Sequence, residues 1–412
     1  MKILQVNCVY QKGSTGKIVY DIHKCLQTEG FESVVCYGRG TKIDEPYVYK
    51  FCTELESKVY HLLNKFGWLM YAVCPIATRR LINIIQNEKP DIVHLHCING
   101  YCVNIYKLLK FLGQSNFKTI VTHHAEFFYT GNCGHAYECT KFQHEPGCHD
   151  CQILKEAAGT DKVDRTNKAW KSMKKAFSYF KRENLLFTAV SPWVVSRSGL
   201  SPICNGFKCK FVTNGLETNI FFPASAKEVD AIKARLPHPE QKMVLHVTAN
   251  FTTNKNNIKG GYYLKQLAEI MPQYQFVIVA SHIGNIEELP SNVFVWGRSN
   301  GQKELASLYT TADVTVITSK RETFSMIVAE SLCCGTPVVG FEAGGPESIG
   351  LKDYTRFVKY GDLKMLKEAV NSFTNTEWNA TSISKQSTER YSKETMAQGY
   401  INAYNEIFNE PK

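Results

Sequence analysis

The sequence predicts an α/β protein built from two doubly wound domains. Short apolar runs rich in Val and Ile recur along the chain, and helix-compatible stretches separate most of them, a pattern typical of parallel sheets. The length of 412 residues exceeds what one core usually holds and suits two domains of about 200 residues. The hydrophobic content of 44% is that of a globular protein, and the sequence has no apolar run of about 18 residues that would predict a transmembrane helix.

Two series of predicted strands define the two domains. The first series comprises KILQVN, SVVCYG, DIVHLH, KTIVTHH, LLFTAVS and KFVTNG. The second comprises KMVLHVTA, YQFVIVA, NVFVWG, DVTVIT, PVVGF and RFVKYG. We predict a first domain over residues 1–211 and a second over residues 212–383, with the junction near Val212 to Pro223. The stretch from Ser384 reads as helix without further strands, and we expect residues 384–412 to pack back on the first domain.

Cysteine usage indicates a reducing compartment. The beginning of the chain, MKILQVNCVY, reads as a strand and lacks the small-residue cleavage site of a signal peptide. Most of the 15 cysteines stand singly in apolar segments, as Cys36, Cys97 and Cys333 do, which is typical of buried thiols. We therefore expect a cytoplasmic protein without a disulfide framework.

The segment SKRETFSMIVAESLCCGTPVVGF, residues 319–341, holds two glutamates eight positions apart, Glu322 and Glu330. It follows the predicted strand DVTVIT. A helix is predicted from Phe324 to Cys334, with Gly335 where a helix end favours glycine and Pro337 blocking its continuation. The next strand, PVVGF, completes a β–loop–α–β unit.

This unit has the elements of a nucleotide site. Ligands of parallel sheets bind beyond the carboxyl ends of the strands, and the free N–H groups at a helix start suit a phosphate. Those groups belong to Phe324, Ser325 and Met326. Glu330 lies about 7–9 Å further along the helix and leans back toward its start, where it could accept hydrogen bonds from a sugar diol. The alternative is an ordinary surface helix with two charges.

These motifs resemble those of the family 4 retaining glycosyltransferases, which have the GT-B fold of two facing Rossmann-like domains with a cleft between them. The linking segment VTNGLETNIFFP is similar to the family's connection, with Glu217 at its acidic position. GSTGKI, THHAEFFYTGNC and the cysteine-rich segment look most like bacterial exopolysaccharide and O-antigen transferases of the colanic-acid type. The other matching residues are Glu322, Glu330, Gly335 to Val339, Gly344, Gly345 and Glu347.

The resemblance implies a nucleotide-sugar donor, a UDP- or GDP-sugar, bound mainly by the second domain. Glu330 would bind the ribose diol, Glu322 would face the donor sugar or its phosphate, and Lys259 in KGG would bind the diphosphate. The helix start at 324–326 would take the distal phosphate. Small residues that follow the first strand, in a loop before a helix, would lie over the phosphates from the first domain: Gly13, Ser14 and Gly16.

The end of the predicted strand KTIVTHH supplies a second catalytic candidate beside Glu322. His124 aligns with the family's residue near the reacting sugar, and His123 would face the opposite side. Ala125 stands where an aspartate usually follows, with Glu126 after it. The alternative reading of His124 is a structural histidine of the core.

Retention of anomeric configuration is implied by the family. Because the sequence offers no obvious sugar nucleophile, we expect front-face attack, with the departing phosphate helping to deprotonate the acceptor hydroxyl. The sequence has no Asp-x-Asp motif, so we expect no catalytic metal. Lys259 and backbone dipoles would stabilise the developing charge instead, with Lys255 near the family's usual arginine position. The alternative for Lys259 is a solvated lysine in an Asn-rich loop.

The charge of +10 is concentrated in the first half of the chain. Residues 162–182 hold eight Lys and Arg together with Trp170, Phe177, Tyr179 and Phe180. Such a segment could lie on an anionic membrane and meet a glycan acceptor carried on a polyprenyl diphosphate. This hypothesis would place the protein peripherally on the inner face of the cell membrane. An ordinary surface helix is the alternative, and nucleic acid fits less well because the sequence has no binding module.

Four cysteines lie within nineteen residues and could hold a structural zinc ion. They are Cys133, Cys139, Cys148 and Cys151, with three histidines interspersed. Disulfides and free thiols are the alternatives, and nothing in the pattern indicates a catalytic metal.

Two other function classes fit the same motifs. A sugar-nucleotide epimerase or hydrolase of related fold would release nucleotide from the donor without an acceptor. A non-catalytic nucleotide-sugar binding protein would need no reactive groups, and the presence of Glu322, Lys259 and His124 argues against it.

Overall fold

The computed structural model describes residues 1–65, 71–160, 162–284 and 289–410. The chain forms two compact units. The first contains residues 1–213 and 396–412, and the second contains residues 214–395. The predicted junction, Val212 to Pro223, includes the point where the chain passes from the first unit to the second.

The first unit is an α/β structure around a parallel sheet that has seven strands in the described residues, in the order β3-β2-β1-β4-β5-β6-β7. Its strands are β1 Lys2–Asn7, β2 Glu32–Tyr37, β3 Val48–Lys50, β4 Ile92–Leu95, β5 Lys118–His123, β6 Leu185–Ala189 and β7 Cys209–Phe211. Its helices are α1 Gly13–Thr28, α2 Glu54–Lys65, α3 Pro75–Glu88, α4 Ile105–Gly113, α5 Phe127–Thr130, α6 Leu154–Ala158, α7 Thr166–Phe177 and α8 Pro192–Gly199, with short 3₁₀ turns at Lys141–Gln143 and Arg182–Asn184.

The second unit repeats the architecture around a parallel sheet of six described strands, in the order β10-β9-β8-β11-β12-β13. Its strands are β8 Met243–Phe251, β9 Gln275–Ile283, β10 Val293–Gly297, β11 Val314–Ile317, β12 Val338–Phe341 and β13 Thr355–Val358. Its helices are α9 Ala226–Lys233, α10 Gly261–Glu269, α11 Gln302–Thr311, α12 Met326–Cys333, α13 Gly345–Ile349, α14 Leu363–Thr374 and α15 Ala380–Tyr391. The two-domain α/β prediction is therefore confirmed.

The chain ends in two helices where one was predicted over 384–412. Helix α15 stops at Tyr391, and α16 runs from Lys393 to Asn409. Ser392 between them is extended, with ψ 152°, and its hydroxyl accepts a hydrogen bond from the Thr395 N–H at 3.1 Å, as an N-terminal cap does. The second unit extends to Thr395, in the first turn of α16, and residues 411–412 lie outside the described part.

Helix α16 covers one face of the first sheet. Met396, Tyr400, Tyr404 and Ile407 form a buried cluster with residues of α1 and of strands β1, β4, β5 and β6. The side chains that these strands contribute are Ile3, Ile92, Ile120 and Leu186. Burying such apolar surface is the main favourable contribution to this packing.

Candidate functional site

The strand order of the second sheet reverses direction between β8 and β11. From β8 the chain continues outward to β9 and β10, and from β11 it continues to β12 and β13 on the other side. Ligands of open α/β sheets bind at such a reversal, beyond the carboxyl ends of the strands. The loops that follow β8 and β11 carry Lys259 and Glu322, so the structure brings two predicted site residues to this point.

Lys259 and Glu322 form an ion pair. The Lys259 Nζ lies 2.6 Å from the Glu322 Oε1, and both side chains are partly exposed. The two loops are also joined through backbone groups, since the Lys320 N–H donates to the Ile258 carbonyl at 2.8 Å. Gly260 makes this approach possible: its φ is +72°, and a Cβ there would lie 1.9 Å from the Thr318 carbonyl oxygen.

The start of α12 carries a strained residue. The helix begins at Met326, two residues later than predicted, and Ser325 before it has φ 81°. This is a left-handed conformation that costs a non-glycine residue energy and concentrates at functional sites. The Ser325 Oγ is buried and has no hydrogen-bond partner, although buried hydroxyls are almost always satisfied. Phe324, predicted as the first helical residue, lies before the helix and is buried in the core, with its ring 6.3 Å from that of Tyr391.

Glu330 lies one turn into α12 and is half-buried. The hydroxyl of Tyr309, a buried residue of α11, donates to the Glu330 Oε2 at 2.9 Å. Burial raises the pKa of the Glu330 carboxyl to about 7, while the hydrogen bond from Tyr309 acts in the opposite direction. Tyr309 was not singled out in the sequence, because nothing in the pattern of an apolar helix shows which tyrosine will meet a glutamate of the next helix.

The glycine-rich turn after β12 braces Glu322 from the other side. The Gly345 N–H donates to the Glu322 carbonyl at 2.8 Å, and the Glu322 N–H donates to the Ala343 carbonyl at 3.0 Å. Glu347 accepts hydrogen bonds from the N–H groups of Ala343 and Gly344. Glu347 therefore stabilises the turn and the start of α13.

The GSTG motif was predicted as a loop, and the structure corrects this. Gly13, Ser14 and Gly16 form the first turn of α1, which begins at Gly13. Gly13 and Ser14 are exposed, whereas Gly16 is buried against Val9, whose Cγ2 would lie 3.1 Å from an added Cβ. The motif is thus a helix N-terminus at the carboxyl end of β1, and its role in donor binding stays a prediction.

His124 follows β5 directly and is buried. Its Nε2 lies 3.0 Å from the Nδ1 of His96, the residue after β4. Burial lowers the pKa of His124 to about 4, so its imidazole is neutral at physiological pH. His123 faces the other side and stacks on Phe187 with ring centroids 4.8 Å apart. His96 was not predicted as a site residue, although it ends the predicted strand DIVHLH.

Glu126 holds the cysteine-rich segment in place. Its buried carboxylate accepts hydrogen bonds from the Arg197 guanidinium and from the Ala136 N–H, the latter at 2.6 Å. Arg197 also donates to the Tyr137 carbonyl at 2.6 Å. These contacts anchor the segment after α5 to α8.

The four clustered cysteines line one cavity of about 360 Å³, and all four are free thiols. A hydrogen bond between the thiols of Cys133 and Cys151 raises the pKa of Cys133 and lowers that of Cys151 to about 7. Among the described residues, no three His, Cys, Asp or Glu side chains are arranged to hold a metal ion. A structural zinc ion bound by Cys133, Cys139, Cys148 and Cys151 stays a prediction.

The aromatic residues of the basic segment 162–182 point inward, which corrects their predicted role at a membrane. Trp170, Phe177 and Phe180 are buried in the first unit, and Tyr179 is half-buried with the Lys110 Nζ 5.3 Å from its ring centroid. These large apolar side chains recur at helical spacing and pack into the core of the first unit, and they do not form a surface that could contact a membrane. The exposed face of α7 is left with its lysines: Lys168, Lys171, Lys174 and Lys175.

Part of the second unit matches a known protein family. Residues 229–393 match the family model described as glycosyl transferases group 1. The putative colanic acid biosynthesis glycosyl transferase WcaC of Escherichia coli (strain K12) is 21% identical over 436 residues, which cover 99% of this chain and all of the relative.

Two solved structures share the fold over nearly the full length. A glycosyltransferase from Rickettsia africae superposes with a TM-score of 0.67 at 15% identity, covering 100% of this chain and 99% of that one. Anabaena HepE in complex with UDP-glucose superposes with a TM-score of 0.63 at 15% identity, covering 98% and 99%. With its two parallel α/β units, the chain has the GT-B fold of these glycosyltransferase structures, and its residues 229–393 carry the match to the group 1 glycosyl transferases.

Proposed function

We propose that this glycosyltransferase moves a sugar from a UDP- or GDP-sugar to a glycan acceptor with retention of configuration. The observation that carries the proposal is the Lys259–Glu322 pair at the strand-order reversal of the second sheet. It stands beside a helix start whose Ser325 is strained and has a buried, unpartnered hydroxyl. The Anabaena neighbour with this fold was solved with UDP-glucose, which supports a nucleotide-sugar donor.

The donor diphosphate would bind Lys259 and the start of α12. The ammonium group supplies a positive charge, and the helix start supplies N–H groups and the positive end of the helix dipole. The Ser325 hydroxyl would gain the partner that it lacks. This set balances the charge that grows on the leaving phosphate, so the proposal needs no catalytic metal. Glu322, released from Lys259, would then face the donor sugar.

The ribose would bind Glu330. Its carboxylate accepts hydrogen bonds when ionised, and the Tyr309 hydroxyl fixes the orientation of the carboxyl group. Because burial brings the pKa of Glu330 to about 7, donor affinity would rise with pH through neutrality.

His124 would contact the transferred sugar, as the resemblance implies. Its neutral imidazole can donate or accept a hydrogen bond, but with a pKa near 4 it holds little charge for stabilising a phosphate. Because no described side chain has been assigned as a sugar nucleophile, the acceptor hydroxyl would attack the sugar from the front face. The departing phosphate would then accept the proton of that hydroxyl.

The acceptor would be a glycan in surface polysaccharide synthesis. The full-length bacterial relative carries colanic acid biosynthesis in its name, and we expect the acceptor glycan of this protein to be carried on a polyprenyl diphosphate. None of the described helices is long and apolar enough to cross a bilayer. The lysine face of α7 would hold the protein against an anionic membrane surface by charge alone.

The test is a screen of nucleotide sugars by thermal shift, followed by transfer assays with and without a lipid-linked glycan acceptor. We expect stabilisation by one donor class, acceptor-dependent transfer and an unchanged anomeric configuration in the product, read by NMR. Lys259→Ala and Glu322→Gln should abolish most transfer, whereas Glu368→Gln, at an exposed position on α14, should not. Acceptor-independent release of nucleotide at the full rate would favour the epimerase or hydrolase class, and donor binding without any turnover would favour a binding protein.

A further inference from the structure

Helix α2 of the first unit turns its apolar side chains outward. Leu55, Val59 and Leu62 recur at the i, i+4, i+7 spacing of one helix face, and their exposed fractions are 73%, 45% and 54%. A surface helix of a globular protein normally buries such a stripe and exposes its polar residues. A single exposed apolar residue needs no explanation, whereas a row of them on one face indicates an interaction surface.

The opposite face of α2 is held inward by polar contacts. Ser57, Tyr60 and Asn64 lie on that face and are buried. The Ser57 hydroxyl donates to the Gly100 carbonyl at 3.3 Å, and the Asn64 amide donates to the Ala158 carbonyl at 2.9 Å. Rotating the helix to bury its apolar stripe would break both hydrogen bonds, so the fold itself directs the stripe outward.

The charges of α2 suit an anionic partner. Lys58 is exposed and lies beside the apolar stripe. The two glutamates of the helix already have cationic partners. Glu54 pairs with Lys50 at 3.4 Å, and Glu56 accepts hydrogen bonds from the Arg80 guanidinium of α3 at 2.9 and 3.0 Å. The adjoining loop after β2 and the first half of α3 add exposed charges that are mostly basic: Arg39, Lys42, Asp44 and Arg79.

The loops that hold α2 belong to the carboxyl edge of the first sheet. Gly100 follows β4, and Gly40, whose N–H donates to the Glu54 carboxylate at 2.7 Å, follows β2. These strands are parallel to β1 and β5, so Gly13 after β1 and His124 after β5 stand at the same edge. Helix α2 is therefore anchored at the edge of the sheet where the acceptor is expected to bind.

We propose that α2 docks on an anionic lipid bilayer, with Leu55, Val59 and Leu62 among the acyl chains and Lys58 among the phosphate head groups. A helix with an apolar stripe and flanking basic residues binds such a surface while lying in its plane. Stable docking takes two contributions, apolar insertion and charge, so the stripe complements the exposed lysines of α7. The inference rests on the proposed function, in which the acceptor is carried on a lipid.

A second copy of the chain fits this surface less well. In a twofold dimer the same patch of each copy meets the other, and Lys58 would face the basic surface of its partner. Like charges brought together in an interface disfavour association. The phosphate groups of a bilayer instead provide the opposite charge.

The test measures binding of the full chain to vesicles of phosphatidylcholine mixed with phosphatidylglycerol. The combined substitutions Leu55→Gln, Val59→Gln and Leu62→Gln remove the apolar stripe without changing the charge, and glutamine favours helix. We expect this glutamine variant to lose about 100-fold or more in vesicle affinity at physiological salt, since burying one such side chain shifts an equilibrium about tenfold or more.

Two further variants separate polarity from shape and position. Leu55→Met, Val59→Ile and Leu62→Met together keep the stripe apolar and should retain wild-type binding. The matched control removes three exposed apolar side chains outside α2 and should also bind as the wild type does. It combines Leu200→Gln, Ile270→Gln and Phe408→Gln. Donor affinity should be unchanged in every folded variant, because the predicted donor ligands lie mainly in the second unit.

Transfer assays connect this surface to the proposed function. With the lipid-linked acceptor in vesicles, the glutamine variant should transfer more slowly than the wild type, in proportion to its loss of vesicle-bound protein. With the same acceptor dispersed in detergent, the two proteins should transfer at equal rates, because the catalytic groups are intact.

Three results would overturn the inference. The first is equal vesicle binding by the wild type and the glutamine variant. The second is wild-type binding that does not depend on phosphatidylglycerol, which would remove the role of charge. The third is a wild-type dimer in sedimentation equilibrium that the glutamine variant abolishes while vesicle binding stays the same, which would assign the stripe to a second copy of the chain. Failure of the proposed function would look different, since the wild type would then transfer no sugar even in detergent while vesicle binding still tested the stripe.

Discussion

Replacing Glu330 tests the proposed donor site most directly. Glu330→Gln keeps the size of the side chain and an oxygen that can accept the hydrogen bond from Tyr309, now 2.9 Å long, but removes the charge. Glu330→Ala removes the acceptor as well and leaves the buried Tyr309 hydroxyl without this partner. The two variants therefore separate the contribution of charge to donor binding from the cost of an unsatisfied buried group.

The size of each effect follows from the hydrogen bonds involved. A hydrogen bond to a charged group is worth about 1.5–3 kcal/mol and a neutral one about 0.5–1.5 kcal/mol. Glu330→Gln should therefore weaken donor binding by about 1 kcal/mol, or about fivefold. Glu330→Ala should weaken it by about 1–3 kcal/mol and lower the free energy of unfolding by a similar amount, because the Tyr309 hydroxyl loses its partner.

The pH dependence of donor affinity distinguishes the ionisation of Glu330 from an effect of packing. With a pKa of about 7, about a tenth of the Glu330 carboxyl groups are ionised at pH 6 and about nine-tenths at pH 8. The ribose hydroxyls donate to the ionised form, so donor affinity should increase several-fold from pH 6 to pH 8. Glu330→Gln has no such ionisation, and its affinity should change little over this range.

Titration calorimetry with the nucleotide sugar selected by the screen measures both effects. An intact nucleotide sugar is preferable to a free diphosphate, whose terminal phosphate titrates near pH 6. Glu368→Gln, which removes an exposed carboxylate of α14, controls for the loss of one negative charge. If folded Glu330→Gln binds the donor as the wild type does and keeps the same pH dependence, Glu330 does not bind the ribose.

Lys259→Ala should weaken donor binding about tenfold or more, the worth of a charge-assisted hydrogen bond; calorimetry against Lys364→Ala, an exposed lysine of α14, checks this, and equal affinities would contradict it. Transfer should survive EDTA in magnesium-free buffer. A rapid loss reversed by magnesium would refute the metal-free mechanism, and a slow loss reversed by zinc alone would indicate a metal at the cysteine cavity. Neutralising the four exposed lysines of α7 together should release the protein from anionic vesicles at physiological salt, since each contributes about 1 kcal/mol near the surface, and donor affinity should stay unchanged. Equal vesicle binding would place the membrane-facing surface elsewhere, with the segment from Lys58 to Pro75 tested next; its residues 66–70 lie outside the described part. The lysines of α7 that are neutralised together in the vesicle experiment are Lys168, Lys171, Lys174 and Lys175.

The fold was largely predictable from the sequence because parallel strands are buried on both faces. Each predicted run of apolar, β-branched residues is a strand in the structure, from β1 to β13. Among the described strands, β3 is the one that was not predicted. It has three residues and pairs at the edge of the sheet beside β2, so it lacks the long apolar run that marks a central strand.

Local signals also predicted the end of α12, the helix at the candidate site of the second unit. Gly335, with φ +83°, follows the helix end as predicted, because glycine adopts this conformation without a Cβ clash. The break at Ser392 was not visible, since serine is tolerated inside helices and only its backbone conformation shows that it caps the next one. The inward direction of Trp170 was equally hidden, as a basic segment with aromatic residues can turn either face to the protein.

The sequence by itself determined the two α/β units, the family resemblance and the residue types of the second-unit site, since strand patterns and the spacing of Glu322 and Glu330 are local properties. Tertiary structure decided which side chains meet. The Lys259–Glu322 pair joins residues 63 positions apart, and the chain from His124 through His96 to Gln5 spans three neighbouring strands. Contacts of this kind depend on strand order and register, and a one-residue change in the register of β1 would turn Gln5 to the opposite face of the first sheet.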